Sequence, residues 1–373
     1  MAVSRINEAG LNINQYGNRN LIINGAMQIY QRGAGTYTNN NIALDRWKYT
    51  INNQDQAAGT ITQVTDSPDG FANSLKLTTT TAETTWAADE YSHLSQLIEA
   101  QNLTHLAYGT SAAKQLTLSF HVKSSVTGTF SVGLYKADNT AQISNKTYTI
   151  DSANTWEKKT ITFTANTLSG GAINNDNGIG FYVNWHLAAG SNYTGGGSLT
   201  DWTNYGGDTF WANGQATNAL YTTNSSTWQL TGCQLEVGDT ATDFEHRSYA
   251  HDLDACSRYY SREDAGSGAA YKRYGVGSWN SATHFECSVA LSTPMRSTPT
   301  LETTGTASNY GIYSANAIDA VTSLALINDS DDGTYNRMVG IIMTVSSGGV
   351  SGEGGTLLAN NDTDNFLALD AEL

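Results

Sequence analysis

One aromatic-rich stretch has the residue types that recognise carbohydrate. It is FYVNWHLAAGSNYTGGGSLTDWTNYGGDTFWANG, residues 181–214. Sugar rings have an apolar face that stacks on aromatic rings, while amide and carboxylate side chains bond the hydroxyls. Trp185 follows the alternation of Phe181 and Val183, which predicts a core position. The candidate glycan-binding residues are Tyr193, Trp202 and Tyr205, and the alternative is a segment that only caps one end of the fold.

The common catalytic motifs are absent from the sequence. It contains no G-x-S-x-G elbow, no G-x-x-x-x-G-K-[ST] loop, no H-E-x-x-H and no C-x-x-C. Carboxylates from distant strands are another route to catalysis, but no feature of the sequence points to such a pair. We therefore expect a protein that is not an enzyme and that has no cofactor.

Histidines and cysteines do not have the spacing of metal ligands. His121 falls on the polar side of its strand pattern and His186 follows Trp185, so we expect histidines that face solvent or are hydrogen-bonded. The three cysteines lie far apart beside apolar neighbours, which predicts small buried thiols; they are Cys233, Cys256 and Cys287. No metal site is predicted.

The charge balance excludes several classes of partner. Nineteen basic against 34 acidic residues give a formal net charge of -15, which disfavours nucleic acid and anionic membranes. No run approaches the ~20 apolar residues of a membrane span. The first residues also lack the apolar centre of an export signal, so we expect no membrane insertion and no export by that route.

Strands with a period of two dominate the first two thirds of the chain. In QLTLSFHVK, alternate residues from Leu116 to Val122 are apolar and the residues between them are polar. The same pattern recurs at three further places, around Phe130, Ile161 and Phe181. Turn-rich stretches separate these strands, so the sequence predicts a mainly β protein with an antiparallel β-sandwich of jelly-roll type.

The end of this region changes its periodicity twice. The alternation of Trp228 and Leu230 resumes one residue out of step after Thr231-Gly232, which predicts a β-bulge. From Tyr249 to Tyr260 the spacing becomes i, i+4, i+7, i+11, which predicts a helix that extends towards Arg262. Further strands follow, including the closing NFLALDAEL, which we expect to be paired within a sheet.

Three parts are therefore predicted. Residues 1–20 form a polar arm that could dock on a partner. Residues 21–247 form the jelly-roll sandwich, and residues 248–373 form a linker helix with a second, smaller β domain.

Seven stretches resemble tail fibre and related virion-surface proteins of tailed bacteriophages. They span about residues 20–262 and are RNLIINGAMQIYQRG, DRW, LTLSFHVKSSVTGTFSVGL, TWEKKTITF, GSNYTG, CQLEVGDTATDFEHRS and DACSRYYSR. The resemblance implies a virion protein assembled in the host bacterial cytoplasm. It also implies other virion proteins as partners, a homotrimer, and a role in attachment to a bacterial host.

The first unit also resembles the jelly-roll carbohydrate-binding modules of glycan hydrolases. Those modules often begin with Asn-Gly-Asp-Phe-Glu and end with an Asp-Asp pair, and these carboxylates help to hold a structural calcium ion. Here Asn24-Gly25 is followed by Ala26, and Thr231-Gly232 replaces the late pair. Because calcium prefers several charged oxygen ligands, this site is not expected here.

The leading hypothesis is a non-enzymatic virion structural protein, a tail fibre or surface appendage that attaches to a bacterial host with a surface glycan as its candidate receptor. One alternative is a capsid-decorating or fibre-anchoring protein with no host ligand. Another is a carbohydrate-binding module of a glycan-degrading system.

Overall fold

The computed structural model of the protein describes residues 18–33, 41–52, 58–266, 270–327 and 337–373. The chain divides into two compact units, Met1–Ser248 and Tyr249–Leu373. Both are built mainly from antiparallel strands, which confirms the predicted fold class.

The first unit is a β-sandwich of two antiparallel sheets. Its strands within the described residues are β1 (Asn41–Leu44), β2 (Trp47–Asn52), β3 (Ala58–Val64), β4 (Ser74–Thr81), β5 (Tyr91–Glu99), β6 (Leu116–Ser124), β7 (Gly128–Lys136), β8 (Gln142–Ile150), β9 (Glu157–Phe163), β10 (Ile179–Ala189), β11 (Thr203–Asn204) and β12 (Thr227–Val237). Short 3₁₀ turns cover Ala100–Leu106, Asp208–Phe210 and Ala219–Tyr221. The larger sheet has the order β1-β2-β5-β10-β7-β8-β11, and the smaller one β3-β4-β12-β6-β9.

Alternate side chains from both sheets fill one core. The predicted face of β6, from Leu116 to Val122, is fully buried. On β10, Trp185 is also fully buried and its ring lies 5.4 Å from that of Trp47 and 5.8 Å from that of Phe120. The period of two therefore identified the core positions, because successive side chains of a strand point to opposite faces.

The predicted β-bulge is confirmed on β12. Its register against β6 shifts between Thr231 and Gln234, and Gly232 has a φ of 62°. The Cys233 N–H leaves the ladder and donates to the Gly25 carbonyl at 2.9 Å. The extra residue thus attaches the segment before β1 to the centre of the smaller sheet.

The last residues of the predicted N-terminal arm, Arg19 and Asn20, pack on this unit. Residues 1–17 of that arm lie outside the described residues. Asn20 accepts hydrogen bonds from the backbone of Ile22 and Leu235, and its Nδ2 donates to the Cys233 carbonyl. The backbone N–H of Asn20 donates to Glu245, so the segment before β1 and the segment after β12 meet at Asn20.

The second unit combines a closed barrel with a small sheet. Its elements within the described residues are α1 (Tyr249–Ser257), β13 (Tyr260–Asp264), β14 (Arg273–Trp279), β15 (His284–Ala290), β16 (Thr300–Thr303), a 3₁₀ turn at Ala307–Asn309, β17 (Tyr310–Ser314), β18 (Ala317–Leu326), β19 (Met338–Val345), β20 (Gly354–Ala359) and β21 (Phe366–Asp370). The barrel has the order β14-β15-β19-β18-β17-β20. The sheet has the order β13-β21-β16, so the closing strand is paired on both sides, as predicted.

The predicted helix is shorter than its spacing suggested. α1 ends at Ser257, and Tyr260 begins β13 with its hydroxyl bonded to Glu302. Tyr249 is 58% exposed, so it does not share a buried face with Cys256. The aromatic pair before Ser261 favours a strand, and its pairing with β21 overrides the helical spacing.

Candidate functional site

A cleft of about 300 Å³ opens on the larger sheet of the first unit. Three aromatic residues of the segment after β10 meet two residues from the adjoining ends of β2 and β5. The lining residues are Asn52, Tyr91, Tyr193, Tyr205, Asp208 and Trp211. Asn52 and Tyr91 are register partners, so the sheet itself sets one wall of the cleft.

The segment after β10 is held against the sheet by its backbone. The Gly190 N–H donates to the Glu90 carbonyl at 2.7 Å, and a Cβ at this position would lie 2.1 Å from the Ala87 carbonyl oxygen. Only glycine allows this close approach. The Tyr193 N–H donates to Gly190 and its carbonyl accepts from the Ala212 N–H, which fixes Tyr193 at the rim.

Tyrosine hydroxyls and one carboxylate supply the polar groups of the cleft. The Tyr205 hydroxyl lies 3.4 Å from Asp208 Oδ1, and the Tyr91 and Tyr193 rings meet edge to face at 4.8 Å. Burial, followed by the charge of Asp208, raises the pKa of both Tyr91 and Tyr205. Their hydroxyls therefore stay protonated at neutral pH and can donate hydrogen bonds to a ligand.

Trp211 forms the floor of the cleft. The strands beneath it direct Leu94 and Trp185 into the core, so His93 and His186 point to the opposite face, called here the outer face. The Trp211 ring lies edge-on to both imidazoles, with centroids 5.7 Å and 6.1 Å away. Its Nε1 is buried and has no hydrogen-bond partner within the described residues.

The structure brings two of the three predicted glycan-binding residues together. Tyr193 and Tyr205 both line the cleft, whereas Trp202 lies elsewhere. Trp202 is 5% exposed, its ring stacks on Phe181 at 5.9 Å, and its Nε1 donates to the Thr164 carbonyl at 3.0 Å. The short pairing of β11 with β8 turns this side chain into the core, so Trp202 is not available to a ligand in the cleft.

Sequence reasoning missed the other lining residues. Asn52 and Tyr91 lie about a hundred residues or more before the aromatic segment, and only the pairing of β2 with β5 places them beside it. Trp211 and Asp208 belong to the segment itself, and the one available signal was the density of aromatic residues there.

Two histidines differ from the expectation, whereas His105, His246, His251 and His284 are exposed, as expected. His93 and His186 are buried, and the Nδ1 of His93 and both ring nitrogens of His186 have no hydrogen-bond partner in the part of the chain that is described. Burial, together with the charge of Lys48, lowers the pKa of His93 to about 3, and burial lowers that of His186 well below its usual value. Both imidazoles are therefore neutral at pH 7.

Three other features singled out in the sequence can be checked in the structure. All three cysteines are buried and unbridged, as predicted. Across the described ranges, no group of three or more His, Cys, Asp or Glu side chains is arranged to hold a metal ion. Likewise, none of the helices in those ranges is long and apolar enough to cross a membrane.

No protein family and no curated protein matches the sequence. Solved structures with some similarity include the enzymatically active domain of a tailspike protein of bacteriophage CBA120. The match has 13% identity and a TM-score of 0.32, and it covers 59% of this chain but only 22% of the tailspike chain.

Two carbohydrate-binding structures are similar at the same level. The family 11 module of a Clostridium thermocellum cellulase has 13% identity and a TM-score of 0.28, with 58% of this chain and 99% of the module covered. A tandem of two family 22 modules from Paenibacillus barcinonensis has 11% identity and a TM-score of 0.27, with 90% and 94% covered. TM-scores this low assign neither a ligand nor a reaction to this chain.

Proposed function

We propose that the first unit binds carbohydrate in the cleft on its larger sheet and catalyses no reaction. The observation that carries the proposal is the convergence of aromatic rings and polar groups from three chain segments on one small cleft. Tyr193, Tyr205 and Trp211 offer apolar ring surfaces, while Asn52 and Asp208 offer groups that bond hydroxyls. This pairing matches the two chemical faces of a sugar ring.

The acidic residues of the cleft favour binding over hydrolysis. Among the described residues that line it, Asp208 is the one carboxylate. Glycoside hydrolysis commonly uses two carboxyl groups on either side of the scissile bond, one as acid and one as base or nucleophile. A single carboxylate beside a tyrosine hydroxyl suits hydrogen bonding to a sugar.

The size of the cleft sets the scale of the affinity. A volume of about 300 Å³ is at the small end of ligand pockets, so it suits one or two sugar units. A stacked ring contributes about 1 kcal/mol beyond its buried area. Stacking alone therefore adds little at a single site, and useful avidity requires several copies acting together.

We further propose that this unit belongs to a virion-surface appendage of a tailed bacteriophage. The support is the resemblance of the motifs over residues 20–262. In that setting the ligand is a bacterial surface glycan, the partners are other virion proteins, and a homotrimer supplies the copies that weak single sites need. Mass spectrometry of purified particles of the phage that encodes the chain tests this part.

Binding is tested by affinity electrophoresis of the full chain in gels that contain host surface polysaccharide. Tyr193→Ala and Tyr205→Ala should each reduce the retardation, and the double variant should abolish it. Tyr271→Ala is the control, because Tyr271 is a half-exposed tyrosine of the second unit. Equal retardation of all variants would contradict the cleft assignment. A wild-type chain that no host polysaccharide retards would instead favour an architectural virion protein.

A further inference from the structure

The cleft on the larger sheet carries negative charge that no neighbouring cation balances. Its lining consists of one carboxylate, one amide and four aromatic rings, and none of these described side chains is a lysine, arginine or histidine. Asp208 supplies the carboxylate. Within the described part of the chain it forms no ion pair, and its one side-chain hydrogen bond is the 3.4 Å contact with the Tyr205 hydroxyl. The charge of Asp208 is therefore left to solvent or to a ligand.

A second carboxylate adds to the negative field at the rim of the cleft. The Tyr193 hydroxyl donates to the backbone carbonyl of Asp89 at 3.3 Å, which places this exposed residue beside the rim. Burial is the largest cause that raises the pKa of Tyr193, followed by Tyr91 and by the charges of Asp208 and Asp89. The whole chain has a formal net charge of -15, so its field favours cations over anions.

The aromatic walls of the cleft meet at steep angles. The Tyr91 and Tyr193 rings are inclined by 69° with centroids 4.8 Å apart, and those of Tyr205 and Trp211 by 81° at 6.4 Å. The walls thus turn ring faces in different directions around one cleft of about 300 Å³. A ring attracts a cation that lies over its face within about 6 Å of its centroid, and aromatic cages of this kind hold ammonium groups.

One short turn fixes the carboxylate next to the floor of the cleft. Asp208 begins the 3₁₀ turn that ends at Phe210, and Trp211 follows at once. The Phe210 N–H donates to the Gly207 carbonyl at 3.0 Å, and the Trp211 N–H donates to the Asp208 carbonyl at 2.9 Å. The backbone therefore presents the carboxylate and the indole to the cleft as one unit.

We propose that the cleft selects sugar units that carry a protonated amine over neutral and acidic sugars, a specificity that rests on the carbohydrate binding proposed above. The sugar ring stacks on one aromatic wall, while its ammonium group lies against the other ring faces and pairs with Asp208. A hydroxyl or an N-acetyl amide at the same position has no charge to pair. A sugar carboxylate is repelled by Asp208.

The test uses three disaccharides with the same ring and linkage that differ only at C2. Chitobiose with free amines carries ammonium groups there, its N-acetylated form carries amides, and cellobiose carries hydroxyls. The full chain is titrated with each at about pH 6, where an amine is protonated, and binding is followed by NMR of the indole N–H signals. We expect the amine dimer to bind about tenfold more tightly than either of the others. Small ligands are required, because a chain of net charge -15 attracts any cationic polysaccharide.

Asp208→Asn keeps the shape of the side chain and removes its charge. This variant should lower the affinity for the amine dimer to the level of cellobiose and leave the affinity for cellobiose unchanged. Asp201→Asn is the matched control, because Asp201 is an exposed carboxylate of the same segment that does not line the cleft. This control should keep the full preference for the amine.

A pH series on the wild-type chain provides a second measurement that needs no variant. The affinity for the amine dimer should fall as the pH rises from about 6 to about 9, where the amine loses its proton, while that for cellobiose stays level. Carboxylates are ionised throughout this range. Burial raises the pKa values of Tyr91, Tyr193 and Tyr205 and lowers the pKa of the neighbouring His93, so the change belongs to the sugar.

Other outcomes overturn the proposal. If cellobiose binds as tightly as the amine dimer, or if Asp208→Asn keeps the preference, the cleft does not recognise the amine, while its binding of carbohydrate stands. If the wild-type chain binds none of the three dimers, the amine is likewise not recognised. Retardation by host polysaccharide then decides separately whether the cleft binds carbohydrate at all.

Discussion

Gly25 lies so close to the backbone of Cys233 that a Cβ at position 25 would stand 2.2 Å from the Cys233 carbonyl oxygen. Gly25→Ala must therefore push apart the bulge of β12 and the segment that docks on it. We expect a loss of about 1–3 kcal/mol in the free energy of unfolding, measured with urea. Gly195→Ala is the control, because a Cβ there meets open space. Equal stability of the two variants would show that the bulge is not constrained.

Buried and cleft-lining aromatic residues of the 181–214 segment should differ in how their loss affects stability and binding. Trp202→Ala removes a buried ring and should cost roughly 3–5 kcal/mol of stability. Tyr205→Ala changes a residue of the cleft and should leave the melting temperature nearly unchanged while it weakens polysaccharide binding. Thermal melts and affinity electrophoresis of the same two variants check this, and a reversed pattern would move the ligand to Trp202.

A buried hydroxyl cluster should make Tyr221 sensitive to the loss of one atom. The Tyr221 hydroxyl lies 2.9 Å from that of Tyr49 and 2.6 Å from Ser92 Oγ. Tyr221→Phe leaves two buried hydroxyls with one partner fewer, which should cost about 1–3 kcal/mol. Adding Tyr49→Phe should then cost less than it does alone, because its hydroxyl has already lost that partner. Strict additivity in urea unfolding would argue against a coupled cluster.

Acid should destabilise the first unit before its carboxylates begin to titrate. The pKa of His93 is lowered by burial to about 3, and that of His186 is also lowered, so the unfolded chain binds protons there that the folded chain does not. Their contribution is complete above the unfolded pKa near 6.5 and is lost as the pH falls towards the folded values. The free energy of unfolding should therefore fall between pH 6.5 and 5. A level value over that interval would show that both imidazoles are accessible to protons in the folded state.

The first unit should fold without the second. Residues up to Arg247 pack back on it, since the Arg247 guanidinium donates to the Asn20 carbonyl at 2.7 Å. A fragment of residues 1–248 should therefore melt in calorimetry at the same temperature as the first unit does within the full chain. A fragment that ends at residue 237 lacks Glu245 and Arg247 and should melt at a lower temperature. A fragment 1–248 without a cooperative transition would show that the two units depend on each other.

Most of the core was predictable, because the alternation of apolar and polar residues along a strand shows which side chains face the core. The faces of β6, β7 and β10 follow from alternation alone, and the bulge follows from a one-residue shift beside a glycine. The helix was predicted too long, because the spacing of apolar residues cannot reveal that Tyr260 pairs with β21.

The candidate site was predictable only in part. The aromatic density of one segment pointed to Tyr193 and Tyr205, but the inward turn of Trp202 depends on a two-residue pairing with β8. The burial of His93 and His186 arises because Trp211 covers the outer face. That contact joins residues far apart in sequence and leaves no local pattern.

The position of β12 has a consequence for how the protein is made. This strand lies between β4 and β6 and also accepts the Leu21 N–H at the Leu235 carbonyl, so it joins parts of the chain that are synthesised long before it. At a translation rate of about 5–20 residues per second, β4 and β6 wait on the order of ten seconds for this partner. During that interval their edges and apolar faces are open to other chains. The yield of folded protein should therefore depend on nascent-chain chaperones more strongly than on its final stability.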